Sequence, residues 1–100
     1  MQGLYPALAA LASHPDAGVR LASVRAIGNH GSPADVPLLI TALKDNDKMV
    51  RAEAARSLQR VYNPIAVDPL IKSLDPENEI EPDVRAEVAC ALGQYPENRV

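Results

Sequence analysis

Apolar residues along this chain recur at the spacing of a helical turn rather than in the alternation of a strand. Val19, Val24 and Ile27, then Val36, Leu39, Ile40 and Leu43, then Val50, Ala54, Ala55 and Leu58 each trace one face. The same stepping continues through Val67, Leu70, Ile71 and Leu74 and through Val84, Val88, Ala89 and Leu92. Steps of three and four residues mark amphipathic helices. Leu4, Leu8 and Leu11, with Tyr5 beside Leu4, mark a short helix before them.

Polar and proline-bearing punctuation sets the boundaries. Ser13-His14-Pro15 ends the first helix, because proline disfavours helical backbone in the residue before it. Asp16 predicts a cap for a second helix over about Ala17 to Asn29, closed by Gly28 and Gly31. Ser32-Pro33-Ala34-Asp35 offers either Ser32 or Asp35 as the cap of the third. Pro37 favours Asp35, since proline is tolerated only in the first helical turn. Lys44-Asp45-Asn46 then turns the chain into a fourth helix from about Lys48 to Val61, and a final one runs from about Asp83 to Gln94.

The pattern repeats. Asp16 to Arg20, Asp47 to Arg51 and Glu81 to Arg85 share an acid, two intervening residues, valine and arginine; Val50 follows Val19 by 31 residues and Val84 follows Val50 by 34. Asn63-Pro64 repeats Ser32-Pro33 at 31, and Val67, Leu70, Ile71 and Leu74 match Val36, Leu39, Ile40 and Leu43 position for position. A period of this size is the mark of stacked helical hairpins, each covering its neighbour's apolar flank. The expected units are residues 1–31, 32–62 and 63–95, with 96–100 opening a fourth, as in a piece of a longer array. The turn from Asp75 to Pro82 is three residues longer than its counterpart and reads as a solvated edge loop.

Counting from each repeated valine at about 100° per residue, offsets zero, four, five and eight share an apolar arc of about 140°. Arg20, Arg51 and Arg85, at offset one, lie inside that arc. A guanidinium aimed at a seam requires acceptors. Asp16, Asp47 and Glu81, three residues before each valine, are the expected partners in an arginine ladder stitching unit to unit.

Composition narrows the function. The chain has no Phe or Trp and only three tyrosines, which suits thin layers of small side chains. Its net charge of −3 argues against a general nucleic-acid binder, which needs clustered Lys and Arg. Cys90 is the lone cysteine, so no internal disulfide forms and a reducing, cytoplasmic setting is expected. No run approaches the ~20 apolar residues of a membrane span. No phosphate loop, zinc spacing or nucleophile-and-base grouping appears, so neither catalysis, a cofactor nor a metal is expected. His14 and His30 lie at helix ends, and Cys90 reads as a small, passive helix residue.

The run from Pro33 to Leu58 resembles the HEAT-like repeat of phycobilisome-lyase-type proteins, through Val36-Pro37-x-Leu39, Leu43-Lys44-Asp45-x-Asp47 and Val50-Arg51-x-x-Ala54-Ala55-x-x-Leu58. The third unit matches through Val67-Asp68-Pro69-Leu70-Ile71 and Val84-Arg85 to Leu92-Gly93 but departs in its long turn; the first matches mainly from Val19-Arg20 to Ile27-Gly28. The resemblance implies an all-α, right-handed solenoid of three antiparallel helix pairs, with second helices lining a concave side. Arg25 and Asn29, then Glu53, Arg56 and Arg60, then Glu87 and Gln94 would be exposed there, with Ala22 and Cys90 among them. The expected function is a non-catalytic scaffold docking another protein or peptide. An accessory subunit of a bilin lyase is the alternative and a nucleic-acid-binding module the third.

Overall fold

The computed structural model describes residues 9–61 and 63–95. Among the described residues, 9–11 are helical, and five complete α-helices follow: α1 (Ala17–His30), α2 (Val36–Ala42), α3 (Lys48–Arg60), α4 (Val67–Ser73) and α5 (Pro82–Gly93). Single 3-10 turns, Pro33–Asp35 and Pro64–Ala66, lead into α2 and α4. No strand occurs among the described residues. Leu4, Tyr5 and Leu8 of the expected first helix lie outside them.

Local chemistry accounts for most of the ends. Asp16 caps α1 by accepting from the Gly18 and Val19 N–H groups, and Asp47 caps α3 through Met49 and Val50. These bonds satisfy amides that have no partner within the helix. Gly31 ends α1 at φ 77°, where its N–H reaches the Ile27 carbonyl; an L side chain would be strained in that left-handed conformation.

The start of α2 differs from expectation. Ser32 is the side-chain cap, accepting from Ala34 N–H ahead of the 3-10 turn, whereas Asp35 makes no capping bond. Asp35 is helical in backbone at φ −88° and ψ −6°, so its carboxylate is not set to reach forward to the amides of the second and third helical residues. Pro37 still falls in the first turn of the α-helix, which begins only at Val36. Asn63 plays the part of Ser32 for the second 3-10 turn, accepting from Ile65 N–H.

The helices pair as α2 with α3 and α4 with α5, while α3 packs broadly against both α1 and α5. No comparable contact joins α1 to α5, so the described residues stack side by side rather than closing into a bundle. The molecule measures 38 × 25 × 15 Å. Its core is a ribbon of small and branched residues running along the stack, including Val24, Ile27, Val36, Leu39, Val50, Ala54, Ala55, Leu58, Leu70, Val84, Val88 and Leu92.

Two offsets, five and seven, depart from the expected apolar arc. Ala89 is exposed although its counterparts Val24 and Ala55 are buried. Those two lie on the flank that each helix turns toward the next, and among the described residues nothing follows α5. Conversely Ser57 and Ala91, seven residues after the repeated valine, are fully buried. They lie on the opposite flank, where each helix meets the preceding one. Gly28 makes room there: a Cβ at Gly28 would collide with Ser57 Oγ and lie 2.5 Å from Ser57 Cβ.

Candidate functional site

The repeated arginines turn into the seam between units, where their partners come from the following turn. Arg20 directs Nε to Asp45 Oδ2 at 2.8 Å and Nη2 to Oδ1 at 3.0 Å, while Nη1 donates to the His14 and Pro15 carbonyls. Arg51 repeats this with Glu79 at 2.6 and 3.2 Å, and its Nη1 donates to the Asp45 carbonyl. Arg85 keeps the backbone half of the arrangement, donating to the carbonyls of Leu74 and Glu79. No carboxylate lies within ion-pair distance of it among the described residues.

The acids expected as partners, Asp16, Asp47 and Glu81, are not the ones that meet the guanidiniums. Asp16 and Asp47 spend their carboxylates on their own helix caps. Glu81 instead pairs with Lys48 at 3.7 Å. The true partners lie five residues before the second and third repeated valines, and the backbone holds them in one geometry. Asp45 accepts from Asp47 N–H at 2.9 Å and Glu79 from Glu81 N–H at 3.1 Å, just as His14 Nδ1 accepts from Asp16 N–H at 3.0 Å. The longer third turn therefore brings Glu79 to the register of Asp45, its extra residues folding over Asp75, which accepts from Glu77 N–H. Burial pushes the Asp45 carboxyl up, but hydrogen bonds from Arg20 and Asp47 N–H, with the charges of Arg20 and Arg51, outweigh it. The net pKa lies below the ordinary aspartate value.

On the face presented by α1, α3 and α5 a second polar network crosses the stack. Glu53 was expected to be exposed; its side chain is only 4% exposed and draws three guanidiniums. Arg56 Nη1 lies 3.1 Å from Oε1, Arg25 Nη2 lies 3.6 Å from the same oxygen, and Arg60 Nη2 lies 3.6 Å from Oε2. The burial follows from position: α3 is flanked on both sides, so a residue expected on the outer face faces Arg25 of α1. Arg56 also donates to Glu87 Oε2 at 2.9 Å, and Gln59 to Glu87 Oε1 at 2.8 Å. The hydrogen bond from Arg56 is the main reason that the Glu87 carboxyl lies below the ordinary glutamate range. Arg25, Glu53, Arg56 and Glu87 thus form one chain of charges across three helices. Asn29, Cys90 and Gln94 are exposed.

The carboxylates of this network are drawn in and the arginines project. The side chains of Arg25, Arg56 and Arg60 are 55%, 46% and 41% exposed, against 28% for Glu87. Sequence reasoning placed the arginines but missed this asymmetry.

Between α2 and α4 lies a cleft of about 780 Å³ lined by residues including Lys44, Asp45, Asp68, Lys72 and Asp75. Its mixed charges surround no activated nucleophile; the Ser73 hydroxyl donates to the Pro69 carbonyl. No group of three or more His, Cys, Asp or Glu able to hold a metal ion occurs among the described residues. No described helix is long and apolar enough to cross a membrane.

No curated protein gives a significant match to the chain. The family model described as HEAT repeats, however, matches residues 5–93, the span that contains the paired helices and the repeated arginines, and the chain belongs to the HEAT-repeat family.

Proposed function

We propose that this chain is a non-catalytic interaction module that docks a protein or peptide partner on the face shared by α1, α3 and α5. Arg25, Asn29, Arg56, Arg60, Glu87 and Gln94 provide its polar contacts, and Glu53 holds the arginines in place from beneath. The hairpins are read as three units, 1–31, 32–62 and 63–95, of a right-handed superhelix with this face on its concave side. The reading places the module in the cytoplasm, without nucleic acid, membrane or cofactor as its partner.

The observation that carries the proposal is the continuity of one polar surface, linked by ion pairs, over α1, α3 and α5. Side chains that merely solvated a face would have no need to be linked across helix boundaries, as Arg25 is to Glu53 and Arg56 to Glu87. HEAT arrays commonly serve protein interactions, and an extended surface of this kind is what stacked repeats offer.

The test is capture of partners from native extract on the immobilised chain, followed by competition. Substituting Arg25 and Arg60 by alanine should abolish capture, while substituting Lys44 and Lys72 on the opposite side should not. Equal capture by both variants would place docking elsewhere.

A further inference from the structure

Resting on the docking proposal, we infer that the segment received by this face is acidic: a peptide whose carboxylates seat on the N–H groups of Arg25, Arg56 and Arg60. The reasoning begins with Glu53. One carboxylate can accept a limited number of hydrogen bonds, and among the described residues Arg56 at 3.1 Å takes the one short bond to this carboxylate. Arg25 and Arg60 stand at 3.6 Å, held by Coulomb attraction at distances beyond a hydrogen bond. Among the described residues, Arg60 makes one hydrogen bond, at 3.4 Å to Ser57 Oγ, and Arg25 makes no other ion pair.

Each guanidinium carries five N–H donors in a planar fork suited to a carboxylate. Most of those on Arg25 and Arg60 are therefore still available, and both side chains are roughly half in solvent. Glu53 draws the two together from opposite oxygens, which lowers the cost of ordering them when a ligand arrives. The nearby anions do not compete, since Glu53 is buried beneath the arginines and Glu87 is engaged by Arg56 and Gln59.

The chain as a whole is acidic at −3, so this positive patch is a local feature. Its occupant is a peptide rather than a nucleic acid. Single-stranded nucleic acid is held by aromatic stacking as well as charge, and Tyr95, the one described aromatic residue, is buried. Carboxylate recognition needs only the arginine forks.

Fluorescence anisotropy with a labelled ten-residue oligoglutamate tests this, with oligolysine, a neutral Gly-Ser peptide and oligothymidylate of matched length as comparisons. Oligoglutamate should bind best. The double variant Arg25→Ala/Arg60→Ala should weaken binding by about tenfold or more, and Arg25→Lys/Arg60→Lys, which keeps charge and fold but removes the fork, should weaken it by less. Lys44→Ala/Lys72→Ala removes the same charge from the far side and should leave binding unchanged. Equal weakening by the lysine and arginine alanine variants, or tighter binding of oligothymidylate, would overturn the inference. A neutral or basic peptide that binds and is lost with the arginines would also overturn it while leaving docking on this face intact. Should the alanine variant lose helicity by circular dichroism, the lysine variant decides: binding as tight as the parent chain's rules out fork recognition.

Discussion

Arg51 and Glu79 meet across the boundary between hairpins as a two-pronged clasp, with Nε 2.6 Å from Oε1 and Nη2 3.2 Å from Oε2. Their side chains are 17% and 3% exposed, so water contributes little to either charge. Removing one member leaves the other buried and unpaired. Arg51→Ala should lower unfolding free energy by about 2–4 kcal/mol, measured by urea denaturation. Replacing both partners, as Arg51→Met with Glu79→Leu, should cost less than the single change. A midpoint unmoved by Arg51→Ala would contradict the clasp.

Acid should loosen the stack. The Asp45 and Glu87 carboxyls both lie below their ordinary pKa values in the folded chain, whereas in the unfolded chain they titrate near about 4. The folded state then binds fewer protons than the unfolded one. The stability that they contribute is present above that range and is lost as pH falls through it toward the folded values. Urea midpoints taken between neutral pH and pH 3 should decline, and the decline should be shallower in Asp45→Asn.

Asp35 is 5% exposed, and no hydrogen bond or ion pair to its carboxylate occurs among the described residues. The equivalent position in the following unit is Ala66, fully buried. Burying an unpartnered acid is costly, so Asp35→Ala should raise stability by about 1–2 kcal/mol. Thermal unfolding at neutral pH provides the check, and a lower midpoint would show that the carboxylate is satisfied.

At the Gly28 crossing, alanine would ordinarily favour the helix by about 1 kcal/mol. Here the methyl meets Ser57, which is fully buried, and overpacking of this kind costs about 1–3 kcal/mol. Gly28→Ala should therefore destabilise, and adding Ser57→Gly should restore part of the loss. Independent, additive effects of the two substitutions in a double-mutant cycle would refute the contact.

The helices were legible because their periodicity and caps are local properties: Asp16 and Asp47 announce α1 and α3 without reference to anything distant. The arginine seam was half legible. Offset arithmetic places Arg20, Arg51 and Arg85, but it cannot say which turn will face them across a unit boundary. A clue was available, since Asp45 and Glu79 share one distance from the repeated valines. His14 at the same place in the first unit obscured it. Glu53 and Ala89 were misjudged for a common reason: a wheel drawn for one helix does not know how many neighbours that helix has. Within the layer of α1, α3 and α5, two helices flank α3 and one flanks α5 among the described residues, so the same offset is buried in one and exposed in the other.

The close approach at Gly28 gives a single absent methyl group leverage over shape. Successive repeats differ by a small rotation that sets the curvature of the whole, and a wedge driven between α1 and α3 would tilt the first of these helices away from the rest. Arg25 rides on α1, whereas Arg56 and Arg60 ride on α3. Splaying that crossing would stretch the span between them, so the residue with no side chain calibrates the distance between the arginines of one helix and those of the next.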